Sequence, residues 1–579
     1  SAALDAVTTS NNHVAVGYNS LSANTSGEKN TAVGSGTLAV NTEGEKNVAV
    51  GYVSLEANTT GDNNTAVGHN SLADNTTGFE NTAVGSGALD ANTEGDENVA
   101  VGMSALGGNT TGIRNTALGK NTLLANTTGE NNVAVGKDTL KANTTASNNT
   151  GLGYQALLAN TTGTRNTAVG VNALDSVTTG SNNVAVGHYA GADYTSGGQS
   201  IFIGRETGGT GGNGITAIGF FACSNTTADN TMGIGYNALA ANTTGGDNVA
   251  VGNNVLDANT TGSENTALGR SALGANTTGD KNTAVGSLAL EANTTGSGNT
   301  ALGQDALSQS TTGDYNIAIG QDALEENTTA SNNVAIGVHC MGANTTGAAN
   351  VAIGRGAFDV NTTGTHCVAI GYNALDANTT ASNNTAVGSG ALGANTTGTS
   401  NVAVGASALD ASTTASNNTA IGNSALSNAT NGSSNVAVGT LALDDCTTGG
   451  GNVAVGYLAC GVSTTVDFNV GVGYLALSSC TGAGNTAVGS EALRLNTSGT
   501  ASTALGFNAV RGNTTGTNAT GIGYAALYSN TTGSHNTAVG LQSSYSNTTG
   551  QDNTSVGVNS LRLNTTGSDN TAIGRNALE

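Results

Sequence analysis

Aliphatic residues recur along the chain in one pattern, a Val, Ile or Leu directly before a glycine. These anchor glycines run from Gly17 to Gly574 in 34 copies, and 30 of the 33 intervals between them are 17 residues long. The three exceptions, of 15 or 16 residues, lie between Gly204 and Gly235 and directly before Gly489. A period this strict predicts a solenoid in which each copy forms one coil.

Each copy contains two apolar segments separated by turn residues. The residue before the anchor is aliphatic in all 34 copies, the residue two positions earlier is mostly Thr or Val, and Leu follows the anchor by four positions in 26 copies. Alternation at period two predicts a strand over N-T/V-A-V/I-G, with Thr/Val and Val/Ile on one face. We predict a second strand over A-L-x-A-N-T. Stacking would then place a Val/Ile column and a Leu column in a narrow core.

These elements predict an all-β fold, a parallel β-solenoid or β-roll of about 34 coils with 17 residues per coil. We expect residues 1–579 to form one continuous solenoid and to be a piece of a longer array. At one strand spacing per coil, it would be a rod of about 160 Å. Irregular coils at residues 188–235 and 457–489 interrupt the pattern. They indicate either a bend or drifted coil, or a loop that binds a ligand or partner.

Stacking also places identical polar side chains above one another. The Asn and Thr of the NTTG segment would form amide and hydroxyl ladders along the axis, as stacked Asn does in cross-β structures. Such ladders satisfy polar groups without charge, which agrees with a charged fraction of only 9%. The Ala at the centre of the first strand and the anchor Gly would form a small, uncharged stripe. We expect this stripe to let another chain approach closely.

The corner of the coil has two sequence forms. Most copies carry Gly ten residues after the anchor, which predicts a backbone with positive φ there. The turn variants carry Ala followed by Ser-Asn-Asn, at Ala146, Ala330, Ala381 and Ala415. Because Ala is poor at positive φ and Asn tolerates it, we predict that these variants move the left-handed residue to a downstream Asn.

Composition and charge narrow the function classes. A net charge of -23 disfavours nucleic acid, whose phosphates need Lys and Arg. No run of about 18 apolar residues occurs, so we expect no membrane span in this segment. The absence of Pro suits a chain that uses nearly every backbone N–H in a ladder.

Cysteines, histidines and other residues that usually form catalytic or metal sites are scattered along the chain. The six cysteines form no CxxC pair, and the histidines do not lie at metal-ligand spacing. No GxSxG, HExxH or paired-carboxylate arrangement stands out, and the Gly-rich run after Gly204 lacks the GK[ST] of a phosphate loop. We therefore expect no catalytic residues, no metal site, no cofactor and no enzyme activity.

The NTT segment also matches the N-glycosylation sequon N-x-[ST]. At Asn41 and Asn92 the sequence is NTE, which keeps the Asn-Thr pair and loses the sequon; this favours a laddered Asn over a glycan acceptor. Ice binding by regular Thr ranks is a second alternative, although only one of two adjacent Thr residues can face outward. The candidate glycosylation acceptors are Asn58, Asn75, Asn109, Asn126, Asn242, Asn259, Asn378 and Asn530.

The segment NTAVGSGALGANTTG, residues 384–398, resembles the head repeats of trimeric autotransporter adhesins (the YadA-like head), whose motif also couples N-x-A-I/V-G to small and apolar positions. The pattern NTAVGxxAL-x-x-NTTG is also similar to repeat arrays in phage and bacterial tail-fibre-like surface proteins. The resemblance covers nearly all of the chain, although the 17-residue period is longer than that of the YadA head. It implies a left-handed parallel β-roll, often a homotrimer, on a cell or virion surface. No functional residues carry over.

These observations together predict a structural extracellular fibre or filament shaft, a rigid spacer that self-associates as a homotrimer or filament. The alternative is an adhesin or phage tail-fibre shaft that itself binds a cell-surface ligand, host matrix or glycan. A solenoid polysaccharide lyase or hydrolase is the third hypothesis, and it would need clustered carboxylates or bases on one face.

Overall fold

The computed structural model describes residues 3–6 and 9–579. Every coil contributes one strand of three residues, and within each of the two units described below consecutive strands pair in parallel with like positions aligned, as in Thr65↔Thr82 and Ala66↔Ala83. The chain is an all-β parallel β-solenoid of 34 coils with a 17-residue repeat, which confirms the predicted fold class.

The strands fall into two compact units, Ser1–Asn282 and Thr283–Glu579. The strands of the first unit are β1 Val14–Val16, β2 Thr31–Val33, β3 Val48–Val50, β4 Thr65–Val67, β5 Thr82–Val84, β6 Val99–Val101, β7 Thr116–Leu118, β8 Val133–Val135, β9 Thr150–Leu152, β10 Thr167–Val169, β11 Val184–Val186, β12 Ile201–Ile203, β13 Thr216–Ile218, β14 Met232–Ile234, β15 Val249–Val251 and β16 Thr266–Leu268. The strands of the second unit are β17 Thr283–Val285, β18 Thr300–Leu302, β19 Ile317–Ile319, β20 Val334–Ile336, β21 Val351–Ile353, β22 Val368–Ile370, β23 Thr385–Val387, β24 Val402–Val404, β25 Thr419–Ile421, β26 Val436–Val438, β27 Val453–Val455, β28 Val470–Val472, β29 Thr486–Val488, β30 Thr503–Leu505, β31 Thr520–Ile522, β32 Thr537–Val539, β33 Thr554–Val556 and β34 Thr571–Ile573.

The core of each unit consists of the central strand residue and the Leu column. In β23, Ala386 is fully buried, as is Leu392 after it, whereas Thr385 and Val387 are only partly buried. The prediction that the Val/Ile column forms the core is wrong. In a three-residue strand, alternation that points the central residue inward must point both of its neighbours outward.

The second predicted strand is also wrong, because its residues form tight turns. Leu375 within the stretch (φ 54°) and Asn373 directly before it (φ 50°) are both left-handed. A left-handed Leu costs roughly 1–2 kcal/mol, but burying its side chain contributes about 1.5–3 kcal/mol. The backbone still bonds to adjacent coils: the N–H of Leu375 donates to the carbonyl of Ala391 at 3.0 Å, and that of Asn373 to Arg355 at 3.2 Å.

The anchor glycine is required both by conformation and by space. Gly371 has a φ of 139°, and a Cβ atom there would lie 2.5 Å from the carbonyl oxygen of Gly388 in the next coil. The φ angles of the anchors all lie between 120° and 148°. A side chain at this position would therefore be strained and would push neighbouring coils apart.

The predicted amide ladder is confirmed. Nδ2 of Asn58 donates to Oδ1 of Asn41 in the preceding coil at 2.7 Å and to the carbonyl of Gly61 at 3.0 Å. The threonine ladder differs from a hydroxyl-to-hydroxyl chain, because Oγ1 of Thr59 donates to the carbonyl oxygen of Thr76 at 3.0 Å. Side chains thus bond each coil to the coils on both sides.

A second asparagine column lies directly before the strands. Oδ1 of Asn64 accepts a hydrogen bond from the backbone N–H of Asn81 at 3.0 Å, while Nδ2 of Asn64 donates to the carbonyl of Gly78 at 2.8 Å. This amide therefore satisfies two backbone groups that the short strands leave outside their own ladder.

The corner does not change its backbone in the turn variants. In an ordinary copy Gly364 is not left-handed and His366, two residues later, is (φ 57°); in the variant copy Ala381 is not left-handed and Asn383 is (φ 62°). The left-handed Asn is confirmed, but its predicted transfer from the Gly position is wrong. The same backbone is found in all four variants, Ala146, Ala330, Ala381 and Ala415.

Glycine at the corner is favoured by space instead. A Cβ atom on Gly364 would lie 2.5 Å from Oδ1 of Asn361. Where Ala381 occupies this position, the coils separate slightly: the distance from the N–H nitrogen of Thr379 to the carbonyl oxygen of Thr396 is 3.3 Å, and the preceding distance, from Thr362 to Thr379, is 2.8 Å. A methyl group is therefore accommodated by lengthening one ladder bond.

Candidate interaction surfaces

One face of every coil is formed by the two outward strand residues and the residue after the anchor glycine; we call it the outer face. The third strand residue is Val, Ile or Leu in all 34 strands, and the first is Thr, Val, Ile or Met. Nearly half of the surface of Leu118 (46%) and Leu302 (46%) is exposed. Within each unit the outer face therefore presents a continuous aliphatic column at the third strand position, beside a mixed column of Thr and aliphatic residues at the first.

Acidic residues are excluded from the outer face. No Asp or Glu occupies it in any of the 34 copies, although the chain has 38 acidic residues and only 15 Lys and Arg. Its column after the anchor also holds eight of the 13 tyrosines. The cations in this column are Lys120, Lys137, Arg205, Arg270, Arg355 and Arg575. Depletion of acidic residues and enrichment of Tyr and Arg are typical of interface cores.

Side chains in the column after the anchor stack on one another from coil to coil. The rings of Tyr457 and Tyr474 are nearly parallel, with centroids 5.6 Å apart. The Nζ atom of Lys137 lies 5.5 Å from the centroid of Tyr154. Where such side chains follow one another, they cover each other's ring faces, and we call this column the tyrosine-rich ridge.

The small stripe predicted for close approach of another chain is not a continuous outward surface, because its Ala residues are buried and only its anchor glycines are partly exposed. Ala386 and its equivalents point into the core and are fully buried. That prediction is wrong for the same reason as the predicted core, since the strand presents the opposite face to the one expected. A second chain would meet the outer face instead.

The first irregular stretch repacks its core around an aromatic pair. Phe202 replaces the central strand Ala, and Gly191 and Gly208 replace Leu in the two adjoining core positions; a Cβ atom on Gly191 would lie 2.7 Å from the Phe202 ring. Tyr194, which replaces the NTT asparagine, packs edge-on against Phe202 at 4.9 Å and donates its hydroxyl to the carbonyl of Gly212 at 2.6 Å. The drifted coils thus exchange two Leu side chains for one Phe.

A groove of 610 Å³ opens beside this repacked core. Tyr189 and Phe221 form aromatic walls, and Asp175, Asp193 and Glu206 bring carboxylates from three different coils. Volumes of about 300–1,000 Å³ are usual for small-ligand sites. No linear sequence motif indicates these three carboxylates together, because they come from the turns of separate coils.

The carboxylates of the groove differ in their surroundings. Burial raises the pKa of Asp175 above its usual value, and the negative charge of Asp193 adds to the rise. Glu206 is paired with Arg205, whose Nη2 atom lies 2.8 Å from Oε1. The groove therefore combines hydrogen-bond acceptors with aromatic surface, an arrangement that suits a hydroxyl-rich or cationic ligand.

A shallower groove of 460 Å³ lies in the second unit. Asp376 and Asp410 flank Gly393, and Tyr372 also lines the groove. Burial raises the pKa of both aspartates. This groove is formed by the lack of a side chain at Gly393, and the core beneath it, Leu392 included, is that of an ordinary coil.

The second irregular stretch belongs to a longer interruption of the NTT asparagine ladder. Five consecutive coils between Asn395 and Asn496 lack this Asn and carry Ser412, Ala429, Cys446, Ser463 and Cys480 in its place. The predicted range 457–489 covers only the later part of the interruption. Sulfur substitutes weakly for the amide: Sγ of Cys480 donates to the carbonyl of Gly482 at 3.1 Å.

The cysteines are buried, free thiols. They are Cys223, Cys340, Cys367, Cys446, Cys460 and Cys480. Burial raises the pKa of Cys223 to about 12 and that of Cys367 to about 11. Within the described part of the chain, no group of three or more His, Cys, Asp or Glu side chains could hold a metal ion. Residues 3–6 and 9–579 also contain no helix long and apolar enough to cross a bilayer.

The candidate glycosylation asparagines are fully buried in the NTT ladder. At Asn109, Nδ2 donates to Oδ1 of Asn92 at 2.8 Å and to the carbonyl of Gly112 at 3.0 Å. A folded coil does not offer this nitrogen to a modifying enzyme, so glycosylation stays a prediction that requires modification before folding. The same placement applies to Asn58, Asn75, Asn126, Asn242, Asn259, Asn378 and Asn530.

Comparison of the chain with models of known protein families gives no match, and comparison with curated proteins gives none either. The resemblance to adhesin head and tail-fibre repeats therefore stays a prediction.

Proposed function

We propose that the protein is a structural fibre or filament shaft, a rigid non-enzymatic spacer on the outside of a cell or virion. The observation that carries this proposal is the NTT ladder of the first unit, which runs from Asn24 to Asn160 with one amide hydrogen bond per coil. Each coil adds the same contacts as the one before it, so adding repeats lengthens the ladder without changing its contacts.

Stiffness follows from the direction of these bonds. Backbone, amide and hydroxyl hydrogen bonds all run along the solenoid axis within a unit, as at Asn58 and Thr59. Bending a unit would lengthen the bonds on its convex side in several columns at once. Because bonds in such chains polarise one another, their resistance to bending exceeds that of isolated pairs.

We further propose that copies of the shaft self-associate, as a homotrimer or filament. The acid-free, aliphatic outer face supports this, since monomeric soluble proteins rarely expose a contiguous apolar patch above a few hundred Å².

The shaft is tested by imaging and solution scattering of the intact chain and of a variant from which residues 99–115, one regular coil, are deleted. We expect an elongated particle that shortens by about 4.8 Å in the variant. A compact particle, or turnover of a polysaccharide by the protein, would contradict the proposal.

An adhesin shaft that binds a host glycan is the second candidate, and the groove between Tyr189 and Phe221 favours it. Tyr189→Ala with Asp193→Ala should abolish binding on a glycan array. Asp376→Ala with Asp410→Ala, in the shallower groove, is the matched control and should leave binding unchanged. Equal loss in both variants, or no glycan bound by the intact chain, would remove this candidate.

A further inference from the structure

We propose that the outer face binds the outer face of a second copy of this chain. This inference rests on the proposed shaft function and specifies the surface through which shafts associate. It replaces the predicted Ala/Gly stripe, whose Ala residues are buried, with columns that solvent can reach: the first and third strand residues and the residue after each anchor.

The size of the outer face is sufficient for a stable interface. In the first unit the face is 16 strands long. At strand spacing it measures about 77 Å by about 13 Å, or about 1,000 Å². A standard stable interface needs about 800 Å² from each partner. The second unit, with 18 strands, offers slightly more.

The chemistry of the outer face favours a copy of itself over a charged partner. Val, Ile or Leu fills the third strand position in every coil, and Thr or a β-branched aliphatic residue fills the first in all strands except β14. Stiff, branched side chains lose little conformational entropy when two sheets interdigitate at about 10 Å. The tyrosine-rich ridge beside them supplies rigid aromatic area of the kind that dominates interface energetics.

The other faces of the coil are unsuited to self-pairing because they carry the acidic residues. Asp359, Asp376 and Asp410 share one column after the Leu residue, and Asp62 and Asp96 occupy corner positions. Two chains of net charge -23 that met through these columns would repel one another. The outer face carries no carboxylate in any coil, so copies that meet through it bring none together.

The test places negative charge on the outer face without disturbing the core. Four half-exposed leucines at the third strand position are changed together to Glu: Leu118→Glu, Leu152→Glu, Leu268→Glu and Leu302→Glu. The matched control adds the same charge to exposed threonines of the NTT segment: Thr111→Glu, Thr162→Glu, Thr261→Glu and Thr295→Glu. Glu43 and Glu94 already occupy the control position in other coils, so the control is compatible with the fold.

Association is measured by sedimentation equilibrium of the full chain. We expect the intact chain to associate, the outer-face variant to dissociate with a dissociation constant raised at least about 100-fold, and the control to change it by less than about threefold. Circular dichroism and amide hydrogen exchange of both variants confirm that the coils are folded. A monomeric intact chain, or an equal effect of the two variants, would overturn the proposal.

Failure of this inference is distinguishable from failure of the shaft. Scattering on the same samples gives the particle shape. A monomeric but elongated intact chain would overturn pairing through the outer face and leave the shaft standing. A compact particle of any mass would overturn the shaft itself.

Discussion

Two stretches of the first unit keep the same strand pairing and differ in the side chains that fill the coils. From Asn24 to Asn160 every coil has a laddered Asn, whereas the four coils from Val177 to Thr226 have none. Strand pairing is nevertheless unchanged in the second stretch, where Ile201 still aligns with Thr216 across the 15-residue coil. The missing residues are therefore taken from the turns.

This comparison separates two contributions to the fold. The backbone ladder sets the register and tolerates changes in coil length and core volume. The side-chain ladder and the Leu column set the local stability, and they are replaced by Tyr194 and Phe202 where the coils depart from the repeat. The groove forms only beside that replacement. Coils that depart from the repeat thus form the groove, whereas coils that follow the repeat extend the solenoid.

Phe202→Ala should have the largest effect, because it removes the ring that fills the space left by Gly191 and Gly208. We expect a loss of about 3–5 kcal/mol in unfolding free energy, as for other buried Phe→Ala changes. Denaturant unfolding and hydrogen exchange of the adjoining coils measure it. The control Ala168→Gly, at the same repeat position, should cost about 1 kcal/mol. Equal losses would show that Phe202 does not hold this core.

Asn109→Ala should cost about 3 kcal/mol, because Oδ1 of Asn92 loses its donor, while Nδ2 of Asn126 and the carbonyl of Gly112 each lose one of two partners. Val177→Ala occupies the same repeat position in the interrupted stretch and should cost only about 1–2 kcal/mol of packing. Local hydrogen exchange compares the two coils. A larger effect at Val177 would mean that the amide ladder does not determine local stability.

Alkaline pH should weaken the cysteine-containing interruption more than a regular coil. Burial raises the pKa of Cys446 from 9.0 to about 11, so the folded thiol keeps a proton that the unfolded chain loses. Stability is therefore full below about pH 9 and falls by about 1.4 kcal/mol per pH unit per thiol as pH rises toward 11. Cys446→Ser, which copies Ser463 of the next coil, should remove that share of the slope. An unchanged slope in denaturation curves would contradict the assignment.

Cys367→Asn should give the smallest effect and the opposite sign. Cys367 stands in the column of asparagines before the strands, where its sulfur lies 3.5 Å from the carbonyl oxygen of Ala381. An amide at this position would restore strong hydrogen bonds and stabilise the coil by about 0.5–1 kcal/mol. We expect the unfolding temperature to rise reproducibly in repeated thermal scans. Destabilisation would show that the neighbouring coils have adapted to sulfur.

The repeat predicts the fold because its period alone specifies one coil per copy and like residues in columns. The amide ladder at Asn58 is equally predictable, because stacking in register places the asparagines of adjacent coils within hydrogen-bond distance of each other. Which face of the strand points into the core is harder to predict. Period two shows that Thr385 and Val387 share a face, but it does not show which face is inward, and the greater hydrophobicity of Val suggests the wrong one.

Left-handed residues and the groove escape prediction for a different reason. Leu375 is left-handed although Leu has no preference for that region, because burial of its side chain outweighs the local cost. Asp175, Asp193 and Glu206 meet only through the turns of three coils. The exclusion of Asp and Glu from the outer face, by contrast, is visible in the sequence once the residues after the 34 anchors are compared.

The identical register of successive strands makes regular coils interchangeable. Thr65 aligns with Thr82 in the same way that Thr150 aligns with Thr167, so joining coils that are not adjacent recreates the original contacts. The length of such a protein can therefore change by duplication or loss of whole 17-residue units, without the invention of a new interface. The coil carrying Phe202 is an exception, because it fits only between its own two neighbours. It therefore keeps its place while regular coils are added or lost elsewhere in the array.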